Sequence, residues 1–230
     1  LQVARGESIE DTAVVLSRYL DGIMIRTYAH NDVEKLAEYS TAPVINGLTD
    51  LLHPCQVLTD IFTFVEHRGD PKGATVAYIG DGNNMAHSWL YGAARTGMNL
   101  NIASPSGYEV DANVLKEAKQ IAEDNNCTLN IMNDPKAAVK NVDLVYTDVW
   151  ASMGEEEEHA ERVSKFKDFQ LNRDLLDLAD KDALVMHCLP AHRGEEITDD
   201  VIDDPKHSVV FDEAENRMHL QKGILYLLMK

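Results

Sequence analysis

The side chains in this sequence that could bind an anion or move a proton stand where its apolar runs end. Arg26 ends one run, and His53 and Gln56 follow the next. Later apolar runs are followed or ended by four more such side chains, Asn83, Asn84, Asp148 and Cys188. Because ligands of open parallel sheets bind beyond the carboxyl ends of the strands, this placement predicts one binding site built from several strand ends.

The segment Gly80–Asn84 resembles a dinucleotide-binding loop at first sight. A Rossmann fingerprint requires a third glycine at the position that Met85 occupies, so the pattern does not support nicotinamide binding. The segment instead predicts a tight turn from a strand into a helix, with an asparagine capping the helix. A capping asparagine can still present its amide to a ligand.

Cysteine and histidine patterns exclude several kinds of chemistry. His187 and Cys188 are adjacent on a predicted strand, where they point to opposite faces and cannot form a Cys–His dyad. A lone cysteine on a strand is most often a small core residue. The nine histidines show neither HExxH nor zinc-finger spacing, so the sequence assigns no metal site.

The elements that must position these side chains alternate between short β-branched runs and longer amphipathic stretches. Helices are predicted from a capping serine, Ser8, to about Leu20, over Pro54–Arg68 and over Glu213–Met229, among others. Strands are predicted at Gly22–Arg26, Pro43–Asn46, Thr75–Ile79, Asn99–Ala103, Leu129–Met132, Val142–Thr147, Ala183–Leu189 and Ser208–Phe211.

This alternation predicts an α/β protein with two doubly wound parallel-sheet domains. Residues 1–53 supply only two strands, so the first domain is expected to be only partly present. Residues 54–212 would form the second domain, including a bridging helix that starts at Pro54. The helix over residues 213–230 is expected to pack back on the first domain.

Composition narrows the function classes. The net charge of −18 argues against a nucleic-acid partner, which needs a clustered basic surface. No apolar run approaches the roughly 20 residues of a membrane helix, so no membrane partner is expected. Three widely spaced cysteines favour a reducing, cytoplasm-like compartment. The sequence begins at Leu1 without a targeting pattern and is expected to be clipped or processed.

Five short motifs in register carry a family resemblance that runs from end to end of the chain. In sequence order they are His53–Gln56 (HPCQ), Asp81–Met85 (DGNNM), Asp148–Gly154 (DVWASMG), His187–Pro190 (HCLP) and Glu213–Arg217 (EAENR). Each is weak alone, but the ordered set resembles the ornithine carbamoyltransferases of the aspartate/ornithine carbamoyltransferase family. The opening Glu7–Ala13 and the strand Met24–Thr27 are similar to that family's first domain.

The resemblance implies a reaction and a set of residue roles. The reaction would be carbamoyl transfer from carbamoyl phosphate to the side-chain amine of L-ornithine, in a homotrimer and without a cofactor. The implied carbamoyl phosphate ligands are Arg26, His53, Gln56, Cys188, Leu189 and Arg217. The implied ornithine ligands are Asn84, Asp148, Ser152 and Met153. The residues expected to act directly in catalysis are Arg26, His53, Asp148, Cys188 and Arg217.

One departure from the family keeps alternatives open. The family's Ser-x-Arg-Thr-Arg phosphate-binding motif would lie ahead of Leu1, and no Ser-x-Arg-Thr string occurs in this sequence. The chain is therefore expected to be either an incomplete copy of such an enzyme or a non-catalytic homologue that holds ornithine. A carbamoyltransferase for another amine, such as putrescine, is a further alternative, against which the Ser152–Gly154 segment argues. A nicotinamide dehydrogenase ranks last.

Overall fold

A computed structural model of the protein describes residues 6–151 and 158–229, in which strands and helices alternate along the chain. The strands are β1 (Ile23–Arg26), β2 (Val44–Leu48), β3 (Thr75–Ile79), β4 (Asn99–Ala103), β5 (Leu129–Met132), β6 (Leu144–Thr147) and β7 (Leu184–His187). The helices are α1 (Ile9–Leu16), α2 (His30–Tyr39), α3 (Pro54–Arg68), α4 (Asn84–Thr96), α5 (Ala112–Asn125), α6 (Pro135–Val139), α7 (His159–Phe166), α8 (Arg173–Leu176), α9 (Asp199–Ile202) and α10 (Val210–Leu228). A 3-10 turn, Lys167–Phe169, follows α7.

The strands form two parallel sheets, which confirms the predicted α/β fold with two domains. β1 pairs with β2, and the other five strands are ordered β5-β4-β3-β6-β7. The chain runs outward from β3 to β5 and then crosses back to β6 and β7 on the other side of β3. The carboxyl ends of β3 and β6 therefore flank the switch point, where doubly wound sheets bind ligands.

The five-stranded sheet is covered on both faces by apolar side chains. On one face Tyr78 of β3 and Ile102 of β4 lie in one apolar cluster with Trp89 of α4, and none of the three has exposed surface. On the other face Val145 and Val185 pack beneath α6 and α8 and are equally buried. Strands covered on both faces read as continuous apolar runs, and for that reason they were visible in the sequence.

The two-stranded unit has a much smaller core. Its cluster of buried residues consists of Ala13, Ile23 and Leu36. α1 and α2 supply Ala13 and Leu36, and β1 supplies Ile23. A two-stranded sheet is marginally stable on its own, so this unit depends on what packs against it.

The bridging helix α3 joins the two units. It starts with Pro54 at the first helical position, where proline is favoured, and it contacts β2, α4 and α10. On α4, a Cβ at Gly92 would lie only 2.9 Å from Val57 Cγ2 of α3, so glycine permits this close approach. The terminal helix α10 packs against α3 and β7. The domain boundaries at residues 53 and 212 stay a prediction.

Two predicted elements are wrong in extent or kind. Residues Ser208–Phe211 do not form a strand: α10 begins at Val210, and only Ser208 makes an isolated bridge, to Val185. The valines and the phenylalanine that indicated a strand lie at the start of α10, which buries Val210 and leaves Phe211 63% exposed. The first helix ends at Leu16 rather than near Leu20.

Two further elements differ from the prediction: one helix was not predicted, and one strand is shorter than predicted. The short helix α9 was not predicted, and β7 spans Leu184–His187, so Cys188 follows the strand instead of lying within it. Among the described residues, no helix combines the length and the apolar composition needed to cross a membrane.

Candidate functional site

A cavity of about 770 Å³ opens at the carboxyl ends of both sheets. Seven of the ten residues to which the family resemblance gives a role line it. They are Arg26, His53, Asn84, Asp148, Cys188, Leu189 and Arg217. Gln56 is buried outside the lining, and Ser152 and Met153 lie outside the described residues. The fold thus gathers residues from positions 26 to 217 at one place.

One wall of the cavity is cationic and surrounds a neutral histidine. Burial, reinforced by the positive charges of Arg217 and Arg26, lowers the pKa of His53 to about 3. The His53 backbone amide donates to Ser88 Oγ at 2.7 Å, which fixes the start of α3. Its buried Nδ1 has no partner among the described residues. His53 therefore offers a neutral imidazole, which has one N–H donor, close to two arginines.

Arg217 is held from behind by a buried polar network. Its Nη1 donates to Gln56 Oε1. The amide nitrogen of Gln56 in turn donates to Asp60 Oδ1 at 2.7 Å and to Glu213 Oε1 at 2.9 Å. With both donors used on carboxyl groups, Gln56 turns its oxygen to the guanidinium. Gln56 therefore positions Arg217 in this arrangement. Its implied role as a direct carbamoyl phosphate ligand stays a prediction.

The carboxyl groups behind Gln56 are themselves unusual. Asp60 and Glu213 are almost completely buried at the contact between α3 and α10. Burial raises the pKa of both carboxyl groups, and the charge of Glu213 raises that of Asp60 further. Two neighbouring buried carboxyl groups titrate as a pair, because ionising both is costly. The pair therefore retains a proton more readily than isolated carboxyl groups and limits the negative charge behind Arg217.

The opposite wall presents a carboxylate and a thiol. Asp148 follows β6 and is 6% exposed, and Asn83 Nδ2 donates to its Oδ2 at 3.2 Å. Cys188 Sγ donates to Asp148 Oδ1 at 3.0 Å. Burial and the negative charge of Asp148 raise the pKa of the Cys188 thiol well above its usual value. Cys188 is consequently a protonated hydrogen-bond donor here and not a thiolate nucleophile.

Strand alternation predicted that His187 would not pair with Cys188, and in the structure His187 has other partners. Its Nε2 lies 2.9 Å from Glu196 Oε1, and its Nδ1 accepts from the Leu189 amide at 2.9 Å. An accepting Nδ1 carries no proton, so the ring proton lies on Nε2, which donates to Glu196 Oε1. Leu189 adopts φ +54°, a left-handed conformation that side chains other than glycine rarely occupy, and it lines the cavity. Backbone strain of this kind clusters at functional sites.

The predicted strand-to-helix turn after β3 forms, with Asn83 as the capping residue. Asn83 Oδ1 accepts from the amides of Met85 and Ala86, at 2.9 and 3.3 Å. The next residue, Asn84, donates to the Thr49 carbonyl at 2.7 Å. Asn84 thereby connects the cavity floor to the loop after β2.

Sequence reasoning missed a buried ion pair in the cavity wall. Arg162 Nη1 lies 2.9 Å from Asp81 Oδ2, and each side chain is less than a tenth exposed. The guanidinium also donates to the Trp150 carbonyl at 3.0 Å and stacks 5.1 Å from the centre of the Tyr108 ring. Asp81 is the first residue of the motif Asp81–Met85. Nothing near Arg162 in the sequence indicates that it pairs with Asp81. The pair fixes α7 against the loop after β3.

Comparison with known proteins assigns the family. The domain described as aspartate/ornithine carbamoyltransferase, Asp/Orn binding domain, matches residues 72–228, and the carbamoyl-P binding domain of the same family matches residues 1–66. The ornithine carbamoyltransferase of Pyrococcus horikoshii is 55% identical over 229 residues, which cover 100% of this chain and 72% of that protein.

Comparison with solved structures supports the same family. The ornithine carbamoyltransferase from Pyrococcus furiosus superposes with a TM-score of 0.94 at 55% identity, over 100% of this chain and 73% of that one. The ornithine transcarbamoylase from Giardia lamblia, at 31% identity, still superposes with a TM-score of 0.88 over 97% of this chain and 75% of that one. The chain belongs to the aspartate/ornithine carbamoyltransferase family.

Proposed function

We propose that this protein transfers the carbamoyl group of carbamoyl phosphate to the side-chain amine of L-ornithine, giving L-citrulline and phosphate. One observation carries the proposal: a single cavity has Arg26, Arg217 and neutral His53 on one wall and the Asp148–Cys188 pair on the other. The cationic wall suits an anionic carbamoyl donor. The carboxylate suits the ammonium group of an amino acid.

The cationic wall would stabilise the transition state. In the reaction a neutral amine attacks the carbamoyl carbon, a C–N bond forms, and the amine gives up a proton. The bond from carbon to the phosphate oxygen breaks as phosphate leaves. Negative charge develops on the carbonyl oxygen, and fixed donors aimed at such an oxygen are each worth about 10²–10³ in turnover. Arg26, Arg217 and the N–H of His53 are the donors we assign to carbamoyl phosphate.

The other wall would orient the amine. We assign Asp148 to the α-ammonium of ornithine, with the Cys188 thiol fixing the carboxylate from one side. Leu189 and Asn84 complete the lining, and the contributions of Ser152 and Met153 stay predictions. Orienting two bound reactants can supply roughly 7–11 kcal/mol of a barrier. Positioning is therefore the largest contribution expected from this site.

We also propose a homotrimer in a cytoplasmic compartment. Large apolar side chains of the smaller unit face solvent, including Tyr19, Met24 and Tyr28, which are 58–68% exposed. Such exposure in a unit with a small core supports burial against another copy of the chain. All three cysteines are unpaired, which fits a reducing compartment. Light scattering should give three times the subunit mass.

A substrate comparison tests the activity. The purified intact protein is incubated with carbamoyl phosphate and either L-ornithine or putrescine, and the carbamoylated product is measured by mass spectrometry. We expect citrulline to form and putrescine to be the poorer acceptor. A preference for putrescine would reassign the acceptor, and binding of ornithine without any product would make the protein a non-catalytic homologue.

A further inference from the structure

A second group of side chains with ligand atoms lies at the rim of the cavity. His159, the first residue of α7, has its Nε2 3.0 Å from Glu195 Oε2. His192 points its Nδ1 at the same carboxylate oxygen from 3.7 Å. All three ligand atoms lie within 4.8 Å of one another. Two imidazoles and a carboxylate thus converge on one point.

The two ligands from the later part of the chain lie on a tightly held turn. The Glu195 amide donates to the His192 carbonyl at 2.9 Å, and Gly194 supplies the positive φ of +87° that the turn requires. Gln170 Nε2 donates at 2.8 Å to the carbonyls of both Gly194 and Glu195. The His192 amide donates to Glu196 Oε1. These bonds fix the backbone that carries His192 and Glu195.

The spacing of the ligand atoms matches a tetrahedral metal ion. Bonds of roughly 2.0–2.1 Å to nitrogen and oxygen place two ligand atoms of a tetrahedral zinc site about 3.3 Å apart. The separations of the two histidine nitrogens from Glu195 Oε2, 3.0 and 3.7 Å, lie on either side of that value, and the two nitrogens lie within 4.8 Å of each other. Small side-chain rotations would bring the three atoms onto one ion. All three side chains are also partly exposed, so an ion can enter and keep a water ligand.

We propose that His159, His192 and Glu195 form a binding site for a divalent transition-metal ion of the zinc class. Two imidazoles and one carboxylate are a donor set that zinc accepts, with the fourth position open to water. The protein's net charge of −18 favours accumulation of cations near its surface. No local motif predicted the site, because its ligands come from α7 and a distant turn.

The proposed metal site lies where a bound ion could affect the cavity. His192 lines the cavity, and so does Arg162, three residues after His159 on α7. An ion held by these ligands would tie the first turn of α7 to the His192–Glu195 turn across the cavity rim. Occupancy is therefore expected to stiffen this side of the cavity and to raise the thermal midpoint of the protein.

Cobalt(II) is a suitable probe, because its visible absorption reports coordination geometry. The one other group of potential metal ligands among the described residues is Asp148, His187 and Cys188, which belongs to the candidate active site. Titrations are therefore made in the intact protein and again in a Cys188→Ser background. A bound ion that shows no sulfur-to-cobalt charge-transfer band is not held by a thiolate.

Three further variants separate the site from general surface binding. His159→Gln and Glu195→Gln each remove one ligand. His219→Gln is the matched control, because His219 faces Glu215 at 3.2 Å in a two-member pair. Loss of a residue that only hydrogen-bonds a metal ligand lowers metal affinity about 10–100-fold, so loss of a ligand itself should cost at least as much. We expect at least a tenfold loss of Co²⁺ affinity in the two ligand variants and none in the control.

The result that supports the site is one Co²⁺ or Zn²⁺ bound in the Cys188→Ser protein, lost on either ligand substitution. Absence of binding in that background at millimolar metal overturns the proposal. Equal affinity in His159→Gln and its parent overturns it as well, and so does an equal loss in His219→Gln. Circular dichroism of each variant establishes that it is folded.

Discussion

The two sheets of this protein differ in how they support the chemistry they carry. The five-stranded sheet holds Asp148 and Cys188 on strand ends that are buried on both faces. The two-stranded sheet holds Arg26 over a core of three buried residues. The acidic wall of the cavity is thus built on a rigid frame. The basic wall depends on contacts made elsewhere, above all by α3 and α10.

This difference explains the buried polar network at the contact between α3 and α10. Arg217 lies on α10 and His53 at the start of α3, so two of the three residues of the basic wall are held by that contact. Gln56, Asp60 and Glu213 form its centre. A small core cannot position an arginine precisely by packing alone, and directional hydrogen bonds supply the missing constraint.

The largest expected effect is on stability, with one substitution made in each core. Leu90→Ala in α4 and Leu36→Ala in α2 both truncate buried leucines, at 0% and 3% exposure. We expect Leu90→Ala to cost near the upper end of roughly 2–5 kcal/mol and Leu36→Ala near the lower end, because fewer buried neighbours surround Leu36. Urea unfolding measures both.

The exposed Leu58 on α3 provides the control for these substitutions. It is 45% exposed, so Leu58→Ala should change the unfolding free energy by about 0.5 kcal/mol or less. Equal losses from Leu90→Ala and Leu36→Ala would mean that the two cores are equally well packed, and the comparison between the sheets would fail.

A second effect is on the pH dependence of stability. The folded pKa of His53, about 3, lies below that of an unfolded histidine at about 6.5. Between these values the unfolded chain binds the extra proton, so stability falls as the pH falls through this window. His53→Gln should therefore flatten the acid side of the profile by up to about 1.4 kcal/mol per pH unit.

Urea unfolding between pH 4 and 6.5 measures the slope. Asp60 and Glu213, whose raised pKa values act in the opposite direction, are present in both proteins and leave the difference unchanged. The exposed His219→Gln should leave the slope as in the parent. A slope that His53→Gln does not alter would show that His53 is not held neutral by its surroundings.

A smaller effect is expected behind the basic wall. Gln56→Leu removes the acceptor that holds Arg217, and we expect about a tenfold loss in carbamoyl phosphate affinity, the equivalent of about 1.4 kcal/mol. Asn216→Leu is the matched control, since the Asn216 side chain donates to Thr63 and Glu66 across the same helix pair, while the Arg217 guanidinium donates to Gln56. Calorimetric titration compares them. Equal losses in both variants would reduce Gln56 to a general packing role.

The sequence predicted the parts of this molecule whose causes are local. The bounds of β3, β4 and β5 match the predicted strands Thr75–Ile79, Asn99–Ala103 and Leu129–Met132, because buried parallel strands are bounded apolar runs. The asparagine cap of α4 was likewise predicted. The run Ser208–Phe211 misled, since β-branched residues at a helix start have the same composition as a strand.

The parts that the sequence did not predict depend on partners far apart along the chain. Gln56 meets Glu213, and Asp81 meets Arg162, only after both sheets have formed. The resemblance gave Gln56 a role at the ligand, while the structure turns its side chain toward Arg217. The order of the motifs along the sequence was enough to locate the site. The direction in which each side chain points could be seen only in the folded structure.

The measurement that tests the division of the cavity most directly is titration of both substrates into Asp148→Asn. The substitution keeps the shape of the side chain and removes the charge proposed to hold the ammonium of ornithine. A buried charge-assisted hydrogen bond is worth about 1.5–3 kcal/mol, so ornithine affinity should fall by roughly ten- to more than a hundredfold. Carbamoyl phosphate affinity should stay within about twofold of the parent, because its proposed ligands lie on the other wall. Equal weakening of both ligands would contradict the assignment of one substrate to each wall.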